Sequence, residues 1–424
     1  MLAIQKKLTN SFYALVSLPS TAMGFALSIQ ISALSWLLTT KFNLDIHEVG
    51  IVWAAGPLAG IFGQVIIGLI SDKVWFWGGR RRPFIIIGGT LAALMLLALP
   101  HIDVISNALG VANLLVVAVF VALTLDLSIN ISFNPTRSII ADVTPEGNPR
   151  TKGYTWMQTI SGLFGVLAYV IGATLNNFVL INVGVVLVFL FSVVPTLFVT
   201  EQKEIAIAAT NADGTKTATE WGQLWRIYFA HGFSWIGVQT MFVYIIAFIQ
   251  QKLFAGSADS GMQSGQVISI SFAVLNTVGF ILPAFALEPL AERIGRVKVH
   301  FIAVAVMSAG YFGIVIFGTS ALALYLLMAV CGVGWASIVS IPFAIMTEKV
   351  DKSRTGFFMG IFNLSVVIPQ LIASLVIGKF ILDAQDKSII FIISGVTLAI
   401  SAVLWLLVKE TRNASAPSMP PVSH

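Results

Sequence analysis

Along most of the chain, apolar residues run without interruption by charge, and polar breaks recur at intervals. Seven windows lack any Asp, Glu, Lys or Arg: 9–40, 49–71, 104–125, 227–251, 260–287, 355–378 and 388–408. Each exceeds the ~20 residues that cross a bilayer core. Two further windows, 153–200 and 299–347, are about twice as long. Turn residues break each near its middle, Asn176-Asn177 in one and Gly318-Thr319-Ser320 in the other, so each predicts a helical hairpin. With the apolar stretch 84–99, the pattern predicts twelve spans, near 12–38, 47–72, 84–100, 111–134, 155–175, 179–199, 224–249, 265–287, 299–317, 321–345, 356–379 and 388–408. The opening MLAIQKKLTNSF puts two lysines before an apolar run too long for a signal-peptide core, and no small-residue cleavage site follows. It reads as the first span, retained.

Composition agrees with this pattern. Only 10% of residues are charged and 57% are apolar, whereas a soluble domain carries charge on roughly a quarter of its positions. The expected fold class is therefore an all-α membrane protein. Of the 24 Lys and Arg residues, all but Lys41, Lys252, Lys379 and Lys387 fall in the even-numbered turns and the two tails, which predicts cytoplasmic termini. The net charge of +5 follows from this asymmetry rather than from a basic groove, so no nucleic-acid partner is expected. Cys331 is the single cysteine, which excludes an intrachain disulfide and a thiolate metal cluster. The chain has no phosphate-binding Gly-x-x-x-x-Gly-Lys-Ser/Thr loop, no His-Glu-x-x-His metal set and no Gly-x-Ser-x-Gly nucleophile turn. Neither an enzyme nor a cofactor is expected. Short loops and brief tails suggest a bacterial inner-membrane protein, and a monomer is expected in the lipid bilayer.

Glu201 to Trp221 is the longest internal polar stretch, and it divides the chain into an N-terminal bundle of six helices (1–200), a cytoplasmic linker (201–222), a second six-helix bundle (223–412) and a tail (413–424). Matching loops show the same order of residue types. Gly68-x-x-x-Asp72-Lys73 followed by Gly78-Gly79-Arg80-Arg81-Arg82 corresponds to Glu288-x-x-x-Glu292-Arg293 followed by Gly295-Arg296. Pro135, Asp142 and Arg150-Thr151-Lys152-Gly153 correspond to Pro342, Glu348 and Arg354-Thr355-Gly356. A duplicated six-helix unit around a central pathway explains both.

The first of these loops resembles the signature of the major facilitator superfamily, twelve-span carriers that alternate a midplane site between two sides. Within it, Gln30-Ile31-Ser32, Trp53-x-x-Gly56-Pro57, Gly79-Arg80-Arg81-Arg82-Pro83-Phe84-Ile85, Asp126-x-x-x-Asn130 with Pro135-x-Arg137 and Ala141-Asp142, Ser340-Ile341-Pro342-Phe343-Ala344 and the run Asn363 to Gln370 resemble the sucrose/proton symporter family of plants and its bacterial and animal relatives, of the glycoside-pentoside-hexuronide type. The chain departs from that family at Asn134, where the family usually has Gly, and spans six, seven, nine and twelve give no clear match. The resemblance implies import of a sucrose- or maltose-like glycoside with protons, and functional weight on Asp126 and Arg137. Another small solute, sodium coupling, antiport, or a sugar sensor that does not transport remain alternatives.

Asp126 is the one acidic residue placed inside a predicted span, near the midplane or somewhat toward the cytoplasm. A carboxylate there costs several kcal/mol. Low-dielectric surroundings favour the neutral acid, so such a group is suited to loading and releasing a proton. Asn130, Asn134 and Arg137 fall within an ~80° arc of Asp126 and share its helix face. Arg137 lies about 16 Å along the helix from Asp126, too far to bond it, and is better placed to meet Asp142, another helix or a sugar hydroxyl. In the seventh span Tyr228, His231, Trp235 and Gln239 share a face that combines aromatic surface with polar tips, suited to a pyranose ring. Tyr and Trp also serve as interface anchors. Gln30, Gln64, Gln158, Asn276, Asn363 and Gln370 are further substrate-binding candidates, although an intramembrane amide is served equally by a neighbouring helix. Gly68, Asp72, Lys73, Arg80, Arg81, Asp142, Glu292, Arg293 and Arg296 are expected to form the cytoplasmic gate. Gly56-Pro57, Pro283 and Pro369 are expected bends.

Overall fold

The computed structural model describes residues 3–60, 67, 70, 74–144, 148–201, 219–255, 260–347, 349–350 and 355–410. Among them the elements are helices, with one isolated β-bridge between Phe76 and Gly79. In chain order they are α1 (Ala3–Lys6), α2 (Asn10–Thr40), α3 (Ile46–Trp53), α4 (Arg82–Ala98), α5 (Ile102–Leu109), α6 (Leu114–Val143), α7 (Asn148–Thr174), α8 (Asn177–Phe198), α9 (Trp221–Lys252), α10 (Ser260–Leu282), α11 (Glu288–Ile294), α12 (Arg296–Phe317), α13 (Ala321–Ile338), α14 (Ile341–Thr347), α15 (Thr355–Leu371), α16 (Gly378–Asp383) and α17 (Ile389–Trp405). Ten helical stretches among the described residues are long and apolar enough to cross a membrane, and α17 is a shorter apolar helix. The expected span 47–72 is seen as α3 and a helical turn over 55–60, and much of its remainder lies outside the described residues. Gln64, Gly68, Asp72, Lys73 and the side chain of Glu292 lie outside them too.

Both expected hairpin breaks are built from capping residues. Asn176, at a φ of 125°, accepts from the Val179 N–H to start α8. Ser320 accepts from the Ala323 N–H to start α13, directly after α12 ends at Phe317. The helix type changes at two of the prolines where bends were expected. Pro283 opens a π-helical turn, Pro283–Leu287, and a second one, Ile372–Ile377, follows Pro369, as expected where proline removes an N–H and displaces a carbonyl. The third span is longer than expected. Pro100 does not end it, because a 3₁₀ turn at Leu99–His101 carries the chain into α5, which closes at left-handed Gly110.

Helix α2 packs on α6, α7 and α8, and α4 packs on α6 and α8. Later in the chain α9 packs on α15 and α17, α12 on α13 and α17, and α10 on α13. The two sets meet where α7 lies against α10, α2 against α9 and α10, and α3 against α16 and the second π turn. Large apolar side chains point outward along the spanning helices, among them Phe120, Val186, Leu197, Leu322 and Leu326. Surface of this kind suits hydrocarbon rather than water.

At the end of the bundle that holds the N-terminus, here called the terminal end, one fastening device occurs twice. Glu201, just past α8, is buried and accepts from the backbone N–H groups of Arg80, Arg81 and Arg82 at 2.9–3.2 Å, capping α4 from another part of the chain. Glu410, past α17, accepts from the N–H groups of Arg296 and Val297 at 2.6 and 3.1 Å and caps α12. The preceding residue is tied in both cases. The Thr200 N–H donates to Gln5 at 3.1 Å and the Lys409 N–H to Gln223 at 2.8 Å. Arg80 reaches Asp142 with Nη2 at 2.6 Å and Nε at 3.1 Å, and Arg81 Nε adds a 3.2 Å contact. Arg80, Arg81 and Asp142, three of the expected gate residues, are thus brought together. The pairing open to Arg137 at Asp142 is instead made by these two arginines, whose guanidinium forks start beside the end of α6. Arg296 takes part through its backbone N–H, and Arg293 is exposed.

Because hydrogen bonds to a charged group contribute about 1.5–3 kcal/mol each, Glu201→Ala should lower thermal stability markedly. Glu410→Ala, at an exposed carboxylate with fewer bonds, should lower it less, and Glu201→Gln should fall between. Intrinsic-fluorescence melting of detergent-solubilised protein measures the order, and equal melting of all variants would contradict the capping role.

Candidate functional site

The middle of α6 carries the buried acid. Asp126 lies about 18 Å from the first residue of α6 and about 26 Å from the last, since the helix continues beyond the expected limit at 134 to Val143. It therefore sits nearer the start of its helix than the sequence suggested. The residue is 5% exposed. Gln30 Nε2, on α2, donates to Asp126 Oδ2 at 2.9 Å. Gly56 brings a third helix against the carboxylate, for a Cβ at this position would stand 3.1 Å from Oδ2. Among the described residues no basic side chain is paired with Asp126. Gln30, one of the substrate-binding expectations, is thereby placed as the partner of the acid.

The rest of the α6 face is divided. Asn130 Nδ2 donates to the backbone carbonyl of Asp126 at 2.8 Å, a local bond within the helix. Asn134 is half-buried. Arg137 is exposed, with its guanidinium 4.1 Å from the centre of the Phe133 ring, and its carbonyl accepts from the Tyr154 hydroxyl.

Facing residues on later helices form a second cluster. Trp235 Nε1 donates to His231 Nε2 at 2.9 Å, and His231 is 2% exposed and stacked on Phe362 with ring centres 4.7 Å apart. Trp235 also stands edge-on to Trp335 of α13 at 6.0 Å. Trp335 Nε1 donates to Asn276 Oδ1 on α10 at 3.1 Å, and Asn276 Nδ2 donates to the Phe272 carbonyl. Gln370 Nε2, on α15, donates to Gln239 Oε1 on α9 at 3.3 Å. His231, Trp235, Gln239, Asn276 and Gln370 thus form two linked sets across four helices. Gln158 is exposed on α7 and Asn363 half-buried on α15, and the structure joins neither to these sets.

Polar side chains that were not among the candidate site residues close the opposite, far end. Ser32 Oγ on α2 and Ser269 Oγ on α10 are 2.8 Å apart, and Ser269 also donates to Asn177 Oδ1 at 3.2 Å. Ser35 Oγ donates to the Val243 carbonyl at 2.9 Å and accepts from Trp53 Nε1 at 2.8 Å. Trp36 Nε1 donates to the Gly261 carbonyl at 2.6 Å. Ser32 and Trp53 lay inside the motifs that carried the family resemblance. Ser269 and Trp335 had no signal beyond being polar or aromatic in an apolar run.

The family model of the Major Facilitator Superfamily matches residues 17–373, with a second match over 264–421. Sucrose transport protein SUC4 of Arabidopsis thaliana is 24% identical over 429 aligned residues, covering 86% of this chain and 84% of that protein. The general alpha-glucoside permease of Schizosaccharomyces pombe is 29% identical over 174 residues, 37% of this chain and 31% of the permease. Among solved structures, a single-residue mutant of the nucleoside transporter NupG superposes with a TM-score of 0.70 at 15% identity, covering 94% of this chain and 99% of that one. The inward-open xylose transporter XylE from E. coli gives 0.70 at 14% identity, covering 95% and 97%. An all-helical membrane architecture, a buried mid-helix acid and a family model that spans most of the sequence converge on one assignment: the chain belongs to the major facilitator superfamily.

Proposed function

We propose that this protein is a proton-coupled symporter that imports a sucrose- or maltose-like glycoside by alternating access. The observation that carries the reading is the Gln30–Asp126 bond. An acid buried in the middle of a spanning helix, bonded to a neutral amide and paired with no basic side chain among the described residues, is free to change its protonation state without breaking an ion pair. A carboxylate locked to a cation would hold its charge permanently. The sugar half of the reading is supported by the names of the sucrose and alpha-glucoside relatives and by the aromatic surface of Trp235 and Trp335, since indole faces suit the apolar faces of a pyranose.

The proposal has two six-helix bundles, 1–200 and 223–412, joined by a linker at 201–222. Packing within each set of helices and the twofold use of the Glu cap support it. It also has both termini in the cytoplasm, because most Lys and Arg residues lie at that end, in keeping with a monomer in a bacterial inner membrane. With α2 bonded to α9 and α10 at the far end, the conformation described is the one in which the site would exchange with the terminal end. Gly68, Asp72, Lys73, Arg80, Arg81, Asp142, Glu292, Arg293 and Arg296 would control that side, and Asn130, Arg137, Gln158 and Asn363 would complete the sugar site.

Uptake of labelled sucrose and maltose into proteoliposomes, with and without an inward proton gradient, tests the coupling. Wild type should accumulate one or both sugars only with the gradient, and Asp126→Asn should lose that stimulation. Gradient-driven uptake that persists in Asp126→Asn would overturn the role of the acid, and stimulation by sodium instead of protons would overturn the choice of ion.

Closure at the far end has its own test. With Ser32 and Ser269 in contact, the double variant Ser32→Cys/Ser269→Cys should cross-link on oxidation and lose transport, and reduction should restore it. Full transport in the cross-linked form would show that the far end need not open.

A further inference from the structure

The outward face of α9 at the terminal end carries an organised apolar surface that the proposed transport cycle does not use. Trp225, Phe229 and Phe233 recur every four residues and form a ridge, with Trp225 53% and Phe229 63% exposed. A groove runs along each side of it. One, of about 310 Å³, is completed by Leu404 of α17, by Leu407 and by Arg226. The other, of about 400 Å³, is completed by Ile361, Leu364 and Ile368 of α15, with Gly232 and Pro369 along it. Gly232 keeps that groove deep, since a Cβ there would already stand 3.3 Å from Pro369 Cγ. From Trp225 to Ile236 the second groove follows α9 for about 16 Å, close to half of a ~30 Å hydrocarbon core and so to one leaflet.

We infer that the two grooves hold the two acyl chains of one anionic glycerophospholipid, which straddles the aromatic ridge with its phosphate at Arg226. Three features select this occupant. The face lies on the outside of a spanning helix, where acyl chains are the surrounding medium. Two parallel grooves separated by a single ridge match a two-tailed molecule. Among the described residues, the only charge lining either groove is the cation Arg226 at the membrane-interface end, next to Trp225, at the end that carries most of the chain's Lys and Arg residues. Arg226 Nη1 donates to the Leu407 carbonyl at 2.8 Å, which fixes the side chain. A guanidinium has five N–H donors, so the rest can serve a phosphate.

Native mass spectrometry of the purified carrier, exchanged in parallel into phosphatidylglycerol and phosphatidylcholine, measures this directly. Wild type should retain one phosphatidylglycerol in preference to phosphatidylcholine. Arg226→Gln should lower that preference about fivefold, the effect of one basic residue near an anionic lipid. Gly232→Leu should lower retention of both lipids, and Lys298→Gln, at another exposed cation, should change neither. Equal retention of phosphatidylglycerol by wild type and Arg226→Gln would overturn the inference, as would equal retention of the two lipids by wild type. A second readout does not depend on the groove-filling variant. Phosphatidylglycerol with brominated chains should quench tryptophan fluorescence more than its phosphatidylcholine counterpart, and the excess should vanish in Trp225→Phe. Persistence of the excess in Trp225→Phe would place the lipid elsewhere.

Discussion

Hydrocarbon offers neither donor nor acceptor, so the polar groups inside a spanning helix must be satisfied by protein, and the Gln30–Asp126 bond is where that constraint bears hardest here. Of the two partners, the acid can change its charge and the amide cannot. Gln30 lies on α2, and two residues further along the same helix Ser32 meets Ser269 of α10. At about 100° per residue these positions are about 200° apart, so one face of α2 serves the acid and the opposite face closes the far end. The acid's partner and the far-end contact therefore ride on one rigid element, which also packs on α6, α7 and α8. A displacement of α2 large enough to open the far end cannot leave Gln30 where it is.

Ten of the expected spans, both hairpin breaks and the position of Asp126 on a buried helix face were legible in the sequence because they are local. Uncharged run length, Asn and Ser caps and helical spacing are written within a few residues. What was not legible is long-range. Nothing near Glu201 shows that its carboxylate will accept from the N–H groups at Arg80, Arg81 and Arg82, more than a hundred residues away. The loop comparison detected the Gly-Arg turns of both repeats but not the acid that closes each one, although Val199-Thr200-Glu201 and Val408-Lys409-Glu410 share their pattern. The end of the third span was misjudged for a different reason. Proline forbids the helix interior but suits the first residues of a new turn, so Pro100 redirects the chain without stopping it.

Amide side chains gave the least reliable signal, and the structure shows why. Gln30 serves the acid, Asn130 bonds its own helix, Asn276 orients Trp335, and Gln239 and Gln370 bond each other. An amide carries donors and an acceptor on a short stem, and in an apolar medium the nearest helix uses them first. Sequence spacing reports which amides face inward. It does not report which remain unspent.

That distinction bears on how a glycoside would be recognised. Trp235 and Trp335 both commit their indole N–H groups to protein, at His231 and Asn276, so their orientation is fixed and only ring surface is left to offer. Such a wall favours the apolar face of a sugar but cannot choose between hydroxyl configurations. On the proposed reading, selectivity must come from polar groups whose bonds are not already used. Arg137 is the strongest of these, exposed, with its guanidinium carbon over the Phe133 ring and five N–H donors on the group. Asn363, half-buried with no side-chain bond described, is the second. The expected sugar site therefore separates into an affinity surface with its donors spent and a small polar set that would read the hydroxyls. Of the two, the polar set is the place where exchange of one side chain would change which glycoside is carried.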